Sequence, residues 1–436
     1  MQAAEAWKKL FTTEHLKEHY FEKIAMRSSV GLDKITPERF ESEIDANVDI
    51  IFRKTNSCNY RFTRYKQLLF LKGAGKPPRS VSVPTIRDKL TLSVMNELLG
   101  EIYQDDCKTR LPQLIIREIS ESIKQYDSFI KLDIKSFYSS IDHSKLLSVL
   151  KYKIRKPEIL HIIKNAIETE SIAIPVKDKH DRTISKNGVP EGLPISNALA
   201  NLFLLSVDNK YSKDPSIKYW RYVDDILILT NSSNVDTVEE NIVRDLELLN
   251  LKINEKRDKG LISKGFEYLG YSISTFGISV RQSSVFKIEQ SLENLFKSVD
   301  KENIPYYEWK INNKITGFIL DEHKYGWLFF YSQISNIDIL FHLDLLVNKF
   351  IERYELTGKI HCKRFVRTYH EMCQALHSTK YIPNFDKTDQ KQKRGILVRI
   401  FGDRANRWDD EEIERKFHLI MSKEIRDIEK DIENFS

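Results

Sequence analysis

The sequence predicts an α+β fold on three observations. Apolar residues alternate at period two over 129–134, and short β-branched or aromatic runs flank Asp224-Asp225, as strands require. Helical patterns at about 144–169 and 198–207 separate these runs, so the central block alternates strand, helix, strand, helix, strand. From about residue 285 onward helical patterns dominate.

The 436 residues, 41% hydrophobic and 11% aromatic, suffice for two or three domains with sizeable cores. Lys and Arg exceed Asp and Glu by 69 − 63 = 6, a balance compatible with a nucleic-acid partner but not demanding one. Cys58, Cys107, Cys362 and Cys373 form no Cys-x-x-Cys pair, so reduced thiols and a cytoplasmic location are expected. No 18-residue apolar run and no leader-like start occur, and a soluble protein with no membrane partner is expected.

Residues 1–60 read as mostly helical, broken at Ser29-Val30-Gly31-Leu32-Asp33 and restarted at Thr36-Pro37-Glu38-Arg39, with Thr as cap and Pro in the first turn. Residues 66–84 read as a β-ribbon turning through Lys72-Gly73-Ala74-Gly75-Lys76-Pro77-Pro78-Arg79. A helical apolar face runs over 85–103. In 129–134, Ile130, Leu132 and Ile134 share one face, and Phe129, Lys131 and Asp133 the other. A helix over 144–169 and a polar ribbon over 177–187 precede Gly188-Val189-Pro190-Glu191-Gly192-Leu193-Pro194, after which Ser196 or Asn197 opens an apolar helix. Beyond the Asp-Asp hairpin, 235–249 reads as helix, and 252–254 and 266–274 as strand-like pieces. The chain closes with the aromatic block Trp327-Leu328-Phe329-Phe330-Tyr331, a loop-like stretch at 382–394, and a helix carrying Ile413, Phe417, Met421, Ile425, Ile428 and Ile432.

Asp-Asp pairs are common in solvated turns. Beside buried strands, however, two like charges repel and lose hydration unless a cation compensates. Asp133 supplies a third carboxylate at a strand end, on the face away from the core. Two-metal phosphoryl transfer needs acidic ligands converging from separate elements. Mg²⁺ suits such a site because it binds few carboxylates and takes its other oxygens from water and phosphates. The glycine turn at 72–79, flanked by cations, can fold over a triphosphate, although it lacks the Gly-Lys-Ser/Thr ending of a Walker loop.

Six segments in order then resemble the motifs of reverse transcriptases of the bacterial, group II intron-like branch. They are 29–36, 72–88, Leu132-Asp133-Ile134-Lys135-Ser136-Phe137-Tyr138-Ser139-Ser140-Ile141, Gly188 through Asn201, Tyr222-Val223-Asp224-Asp225, and Asn254-Glu255-Lys256 followed by Phe266-Glu267-Tyr268-Leu269-Gly270-Tyr271. The resemblance covers roughly residues 28–290. It implies a right-hand polymerase: an N-terminal helical extension (1–45), fingers (46–128 and 143–187), a palm with an antiparallel sheet (129–142 and 188–280), a helical thumb (281–356) and a short helical C-terminal region (357–436).

The resemblance also implies roles. Asp133, Asp224 and Asp225, assisted by the Ile134 carbonyl, hold two Mg²⁺ ions, with Mn²⁺ as a substitute. Lys72 and Arg79 bind the incoming dNTP, Glu191-Gly192 lies beside its sugar, Tyr138 excludes a 2′-hydroxyl, and Lys256 acts near the leaving pyrophosphate. Tyr222 and Val223, with Tyr268, Leu269 and Gly270, contact primer and template. Glu191 departs from the Gln usual in the family; ionised, it repels a triphosphate unless paired with a cation such as Arg79.

The chain lacks the Asn-Ala-x-x-His and Val-Thr-Gly elements of retron enzymes and the Cys/His spacing of intron endonucleases. It is most similar to stand-alone reverse transcriptases of antiphage defence, which implies a non-coding RNA template, a DNA or RNA primer, and an accessory protein or second copy as further partners. Alternative readings are a template-independent or protein-primed DNA polymerase, and an RNA-binding scaffold with a vestigial site. His361, Cys362, His370, Cys373 and His377 suggest zinc but are expected to be packing residues. Trp327–Tyr331 is expected to be core, and Lys387, Lys391, Lys393 and Arg394 read equally as a solvated or an RNA-contacting loop.

Overall fold

The computed structural model describes residues 1–25, 29–70, 78–173, 185–255 and 257–432. The chain divides into two compact units, one of residues 1–110 and 129–259, the other of residues 111–128 and 260–436. Its strands are β1 (Tyr65–Phe70), β2 (Arg79–Val83), β3 (Ser128–Asp133), β4 (Ser171–Ile172), β5 (Lys218–Tyr222), β6 (Asp225–Thr230), β7 (Asp258–Leu261), β8 (Phe266–Tyr268), β9 (Tyr271–Ser274), β10 (Gly277–Val280), β11 (Phe318–Leu320) and β12 (His323–Tyr325).

In the first unit the N-terminal region is helical, with Thr36 accepting from the Arg39 amide at 3.4 Å and Pro37 in the first turn. The helices Ala3–Leu10, Thr13–His19 and Ile44–Asn56 pack on the long helix Ile86–Tyr103, which Thr85 caps. Strands β1 and β2 form the expected antiparallel ribbon, with Lys66 opposite Val83 and Phe70 opposite Arg79. The main sheet runs β5-β6-β3-β7. All six residues of β6 are buried, the pattern of a strand covered on both faces. The apolar helix Ser196–Tyr211 contributes to the same core.

Three local expectations need correction. The helix expected over 144–169 is two helices, His143–Lys153 and Pro157–Glu168, because Pro157 has no amide with which to continue the first and instead opens the second. The piece at 252–254 makes a single bridge, Ile253 to Ile134, and the strand proper is β7. The piece at 266–274 breaks at Leu269-Gly270, whose φ values of 48° and 82° are those a two-residue type I′ turn requires at both centres, giving the meander β8-β9-β10.

The second unit is mainly helical, as expected, with a core formed by Phe318, Phe385, Leu397, Ile413, Phe417, Met421 and Ile428 among others. Trp327 and Tyr331 are fully buried and so belong to packing. The loop-like stretch is in part the helix Gln390–Phe401, which begins with a capping box between Asp389 and Gln392. Lys393 and Arg394 pair there with Glu414 and Asp410. No helix among the described residues is long and apolar enough to cross a membrane.

Candidate functional site

Asp133 ends β3, and Asp224 lies in the two-residue loop joining β5 to β6. The Ile134 amide donates to the Asp224 carbonyl at 3.1 Å, which fastens the end of β3 to the hairpin tip. Asp225 already belongs to β6, opposite Tyr222, and is buried, whereas Asp224 and Asp133 stay half-buried. Oxygen is the only donor element that these three carboxylates and the Ile134 carbonyl offer, which suits Mg²⁺ or Mn²⁺. Among the described residues, the three carboxylates are not gathered within 4.8 Å of one another. Consecutive residues at a strand start send their side chains apart.

Two supports of this region have hydrogen-bonding roles that the motifs and spacing do not reveal. Asn254 donates its amide to the Asp133 carbonyl at 2.9 Å and its side-chain nitrogen to Asp133 Oδ2. Arg221, almost wholly buried, grips Asp208 with Nε and Nη2 at 2.8 and 2.5 Å and donates from Nη1 to the Val223 carbonyl at 2.8 Å. Val223 has φ 57°, an outlier for a β-branched residue, and this bond helps hold it there.

Tyr138 follows β3 in the short helix Phe137–Ser140 and donates its hydroxyl to Asn197 Oδ1 at 2.5 Å. Burial, then the negative charges of Asp224 and Glu191, push its phenol up to about 12, so it stays protonated. Burial and Asp224 also raise the Tyr222 phenol. The amides of Gly188 and Val189 donate to the carbonyls of Ile141 and Tyr138, each at 2.8 Å, and tie the 188–194 loop to this helix. Glu191 receives Arg79 Nε on Oε2 at 2.6 Å, the pairing its charge calls for, and its carbonyl accepts from the Ser82 amide at 2.7 Å. Gly192, at φ 96°, admits no side chain: a Cβ would lie 2.6 Å from Val81 Cγ1 and 3.0 Å from the Ser82 carbonyl.

The structure therefore brings Arg79, Glu191, Gly192, Tyr138, Asp133, Asp224, Asp225, Tyr222 and Val223 into one unit. Lys72 and Lys256 lie outside the described residues. Tyr268, Leu269 and Gly270 belong to the second unit, where the Tyr268 and Leu269 side chains are buried and the Gly270 carbonyl accepts from the Arg281 amide at 2.9 Å. Among the described residues, Cys362, His370 and Cys373 do not gather as metal ligands, and burial pushes the Cys362 thiol up to about 12. His15, His19 and Glu97 do gather, within 4.8 Å, and could hold a metal ion.

Residues 71–273 match the family model described as reverse transcriptase (RNA-dependent DNA polymerase). An uncharacterized 91 kDa protein in the cob intron of Schizosaccharomyces pombe is 28% identical over 170 residues, 37% of this chain and 20% of its own. The group II intron-encoded protein LtrA of Lactococcus lactis subsp. cremoris is 24% identical over 189 residues, 42% of this chain and 30% of its own. The chain thus spans less than a third of the length of these curated relatives. A solved apo telomerase from Candida tropicalis, truncated from its C-terminal domain, aligns with a TM-score of 0.41 and 16% identity over 50% of this chain and 55% of that one, a likeness that carries no argument. Residues 71–273 form a reverse-transcriptase-like domain, related at low identity to group II intron-encoded proteins.

Proposed function

We propose that this chain is an RNA-directed DNA polymerase that adds dNTPs to a primer 3′-hydroxyl. The observation that carries the reading is the hydrogen bond from Ile134 to Asp224, which sets two carboxylates from neighbouring strands at one end of the sheet. Mg²⁺ held by Asp133, Asp224, Asp225 and the Ile134 carbonyl would supply activation of the attacking hydroxyl and charge balance on the pyrophosphate.

The chain's own groups do the positioning. Arg79 exchanges Glu191 for a phosphate oxygen as the triphosphate enters, so its guanidinium is never left without an anion. The Tyr138 ring, anchored through Asn197, excludes a ribose 2′-hydroxyl. Gly192 lets the loop backbone close on β2 beside the sugar. Lys72 and Lys256 neutralise the triphosphate, while Tyr222, Val223 and the 268–270 turn steady primer and template. On this reading the fingers are 46–128 and 143–187, the palm 129–142 and 188–280, the thumb 281–356, with helical regions at 1–45 and 357–436. A non-coding RNA template and a role in antiphage defence follow from resemblance alone. Sequencing the nucleic acid that co-purifies with the protein tests them.

Asp224→Ala combined with Asp225→Ala is expected to abolish metal-dependent dNTP incorporation on primed RNA while cooperative thermal unfolding persists. Full activity in that folded variant sinks the proposal.

A further inference from the structure

His15 and His19 lie one turn apart on the helix Thr13–His19, so both imidazoles share a face. Glu97 meets them from the helix Ile86–Tyr103. Both rings aim at one atom: His15 Nε2 is 3.2 Å and His19 Nδ1 3.0 Å from Glu97 Oε2. Ligand atoms around a tetrahedral zinc ion, at metal–ligand distances near 2.1 Å, stand about 3.4 Å apart. The two nitrogen–oxygen separations are close to that spacing, and all three atoms lie within 4.8 Å of one another. The other nitrogen of His19, Nε2, sits 2.7 Å from Ser93 Oγ, the kind of backing hydrogen bond that fixes the ring of a metal-bound histidine. The His19 side chain is 6% exposed, while those of His15 and Glu97 are 25% and 36% exposed, which leaves a path for an ion and for a water ligand.

We propose that His15, His19 and Glu97 form a zinc site, with water as the fourth ligand, that clips the helix Thr13–His19 onto the long helix Ile86–Tyr103. Two imidazoles and one carboxylate select a borderline transition ion such as Zn²⁺ over Mg²⁺, which prefers an all-oxygen shell. The site shares no residue with the aspartates at the β5–β6 hairpin, so it stands whether or not the polymerase reading does. Its role is to couple helices: the long helix starts just after β2, the strand that carries Arg79.

The test uses the full chain without a histidine tag, stripped with chelator and titrated with Zn²⁺ or Co²⁺ alone. The expected result is one more bound Zn²⁺ equivalent in the wild type than in His15→Ala or Glu97→Gln, and a zinc-dependent rise in melting temperature that both variants lose. Co²⁺ is expected to give the visible absorption of a tetrahedral nitrogen and oxygen site, absent in both variants and retained in Asp224→Ala with Asp225→Ala. Glu97→Gln nearly preserves shape, so it keeps the comparison valid should His15→Ala unfold. Equal zinc stoichiometry in wild type and Glu97→Gln overturns the proposal and leaves a carboxylate shared by two imidazole hydrogen bonds. Loss of the extra equivalent in the aspartate double variant also overturns it.

Discussion

Glu191 and Arg79 hold each other at 2.6 Å with both side chains partly open to solvent, so the pair adds little to stability and its effect lies in what Arg79 can bind. Glu191→Gln removes the anion competing for Arg79, and steady-state kinetics should show a several-fold lower KM for dNTP at nearly constant kcat; a raised KM would mean that Glu191 orients Arg79. At Tyr138 the ring, not the hydroxyl, carries the proposed exclusion. Tyr138→Ala should incorporate rNTPs, and Tyr138→Phe should still reject them although the bond to Asn197 is gone. Wild-type preference for rNTPs would remove the sugar-gate assignment. These residues were legible because their types sit at motif spacing. The supporting roles of Asn254, named only as part of a motif, and of Asp208 were not, since such a side chain becomes a support only when a distant backbone atom, carboxylate or guanidinium arrives beside it.

At the scale of elements, the β5–β6 hairpin stores strain at Val223 and holds it with Arg221. Arg221→Ala removes the cation paired with the Asp208 carboxylate, which keeps the Tyr219 hydroxyl, and frees the tip, for a loss of about 3 kcal/mol measured by denaturant unfolding. A loss under about 0.5 kcal/mol would show that the tip holds without Arg221. Helix starts were readable where a cap and a proline coincide, as at Thr36-Pro37. The capping box of Asp389 and Gln392 carried the same information but lay in a basic, polar stretch that masked it. Asp389→Ala should cost about 1 kcal/mol, seen as a lowered melting temperature. Short strands were the least readable elements, because two to four residues hold no full period and their pairing is decided elsewhere in the chain.

For the whole molecule, the α+β class followed from periodicity, but the partition into two units did not. Residues 111–128 pack with a region that begins more than 130 residues later, and no local pattern encodes so distant a partner. Acid sensitivity is a property at this scale. Burial pushes the Glu239 carboxyl up, but Lys259 at 2.6 Å and Arg257 at 3.0 Å outweigh it and hold the group below its ordinary value. A carboxylate depressed in the folded state lends stability above its unfolded pKa of 4.5 and loses it as pH falls through the folded value. Melting temperature should therefore drop below about pH 4.5, and Glu239→Gln should flatten that drop; an unchanged slope would remove Glu239 as a source.

The interleaving of the two units also has a temporal side. The helix Pro112–Ser122 is synthesised early, and its Ile115, Ile116 and Ile119 are fully buried in the finished fold, but the rest of its unit begins only at residue 260. At roughly 5–20 residues per second on the ribosome, that helix waits on the order of ten seconds for the rest of its unit. The strand bearing Asp133 begins where this waiting segment ends, so the last residue of the first unit, 259, is made before the bulk of the second. A nascent chain halted near residue 259 is accordingly a natural client for a chaperone.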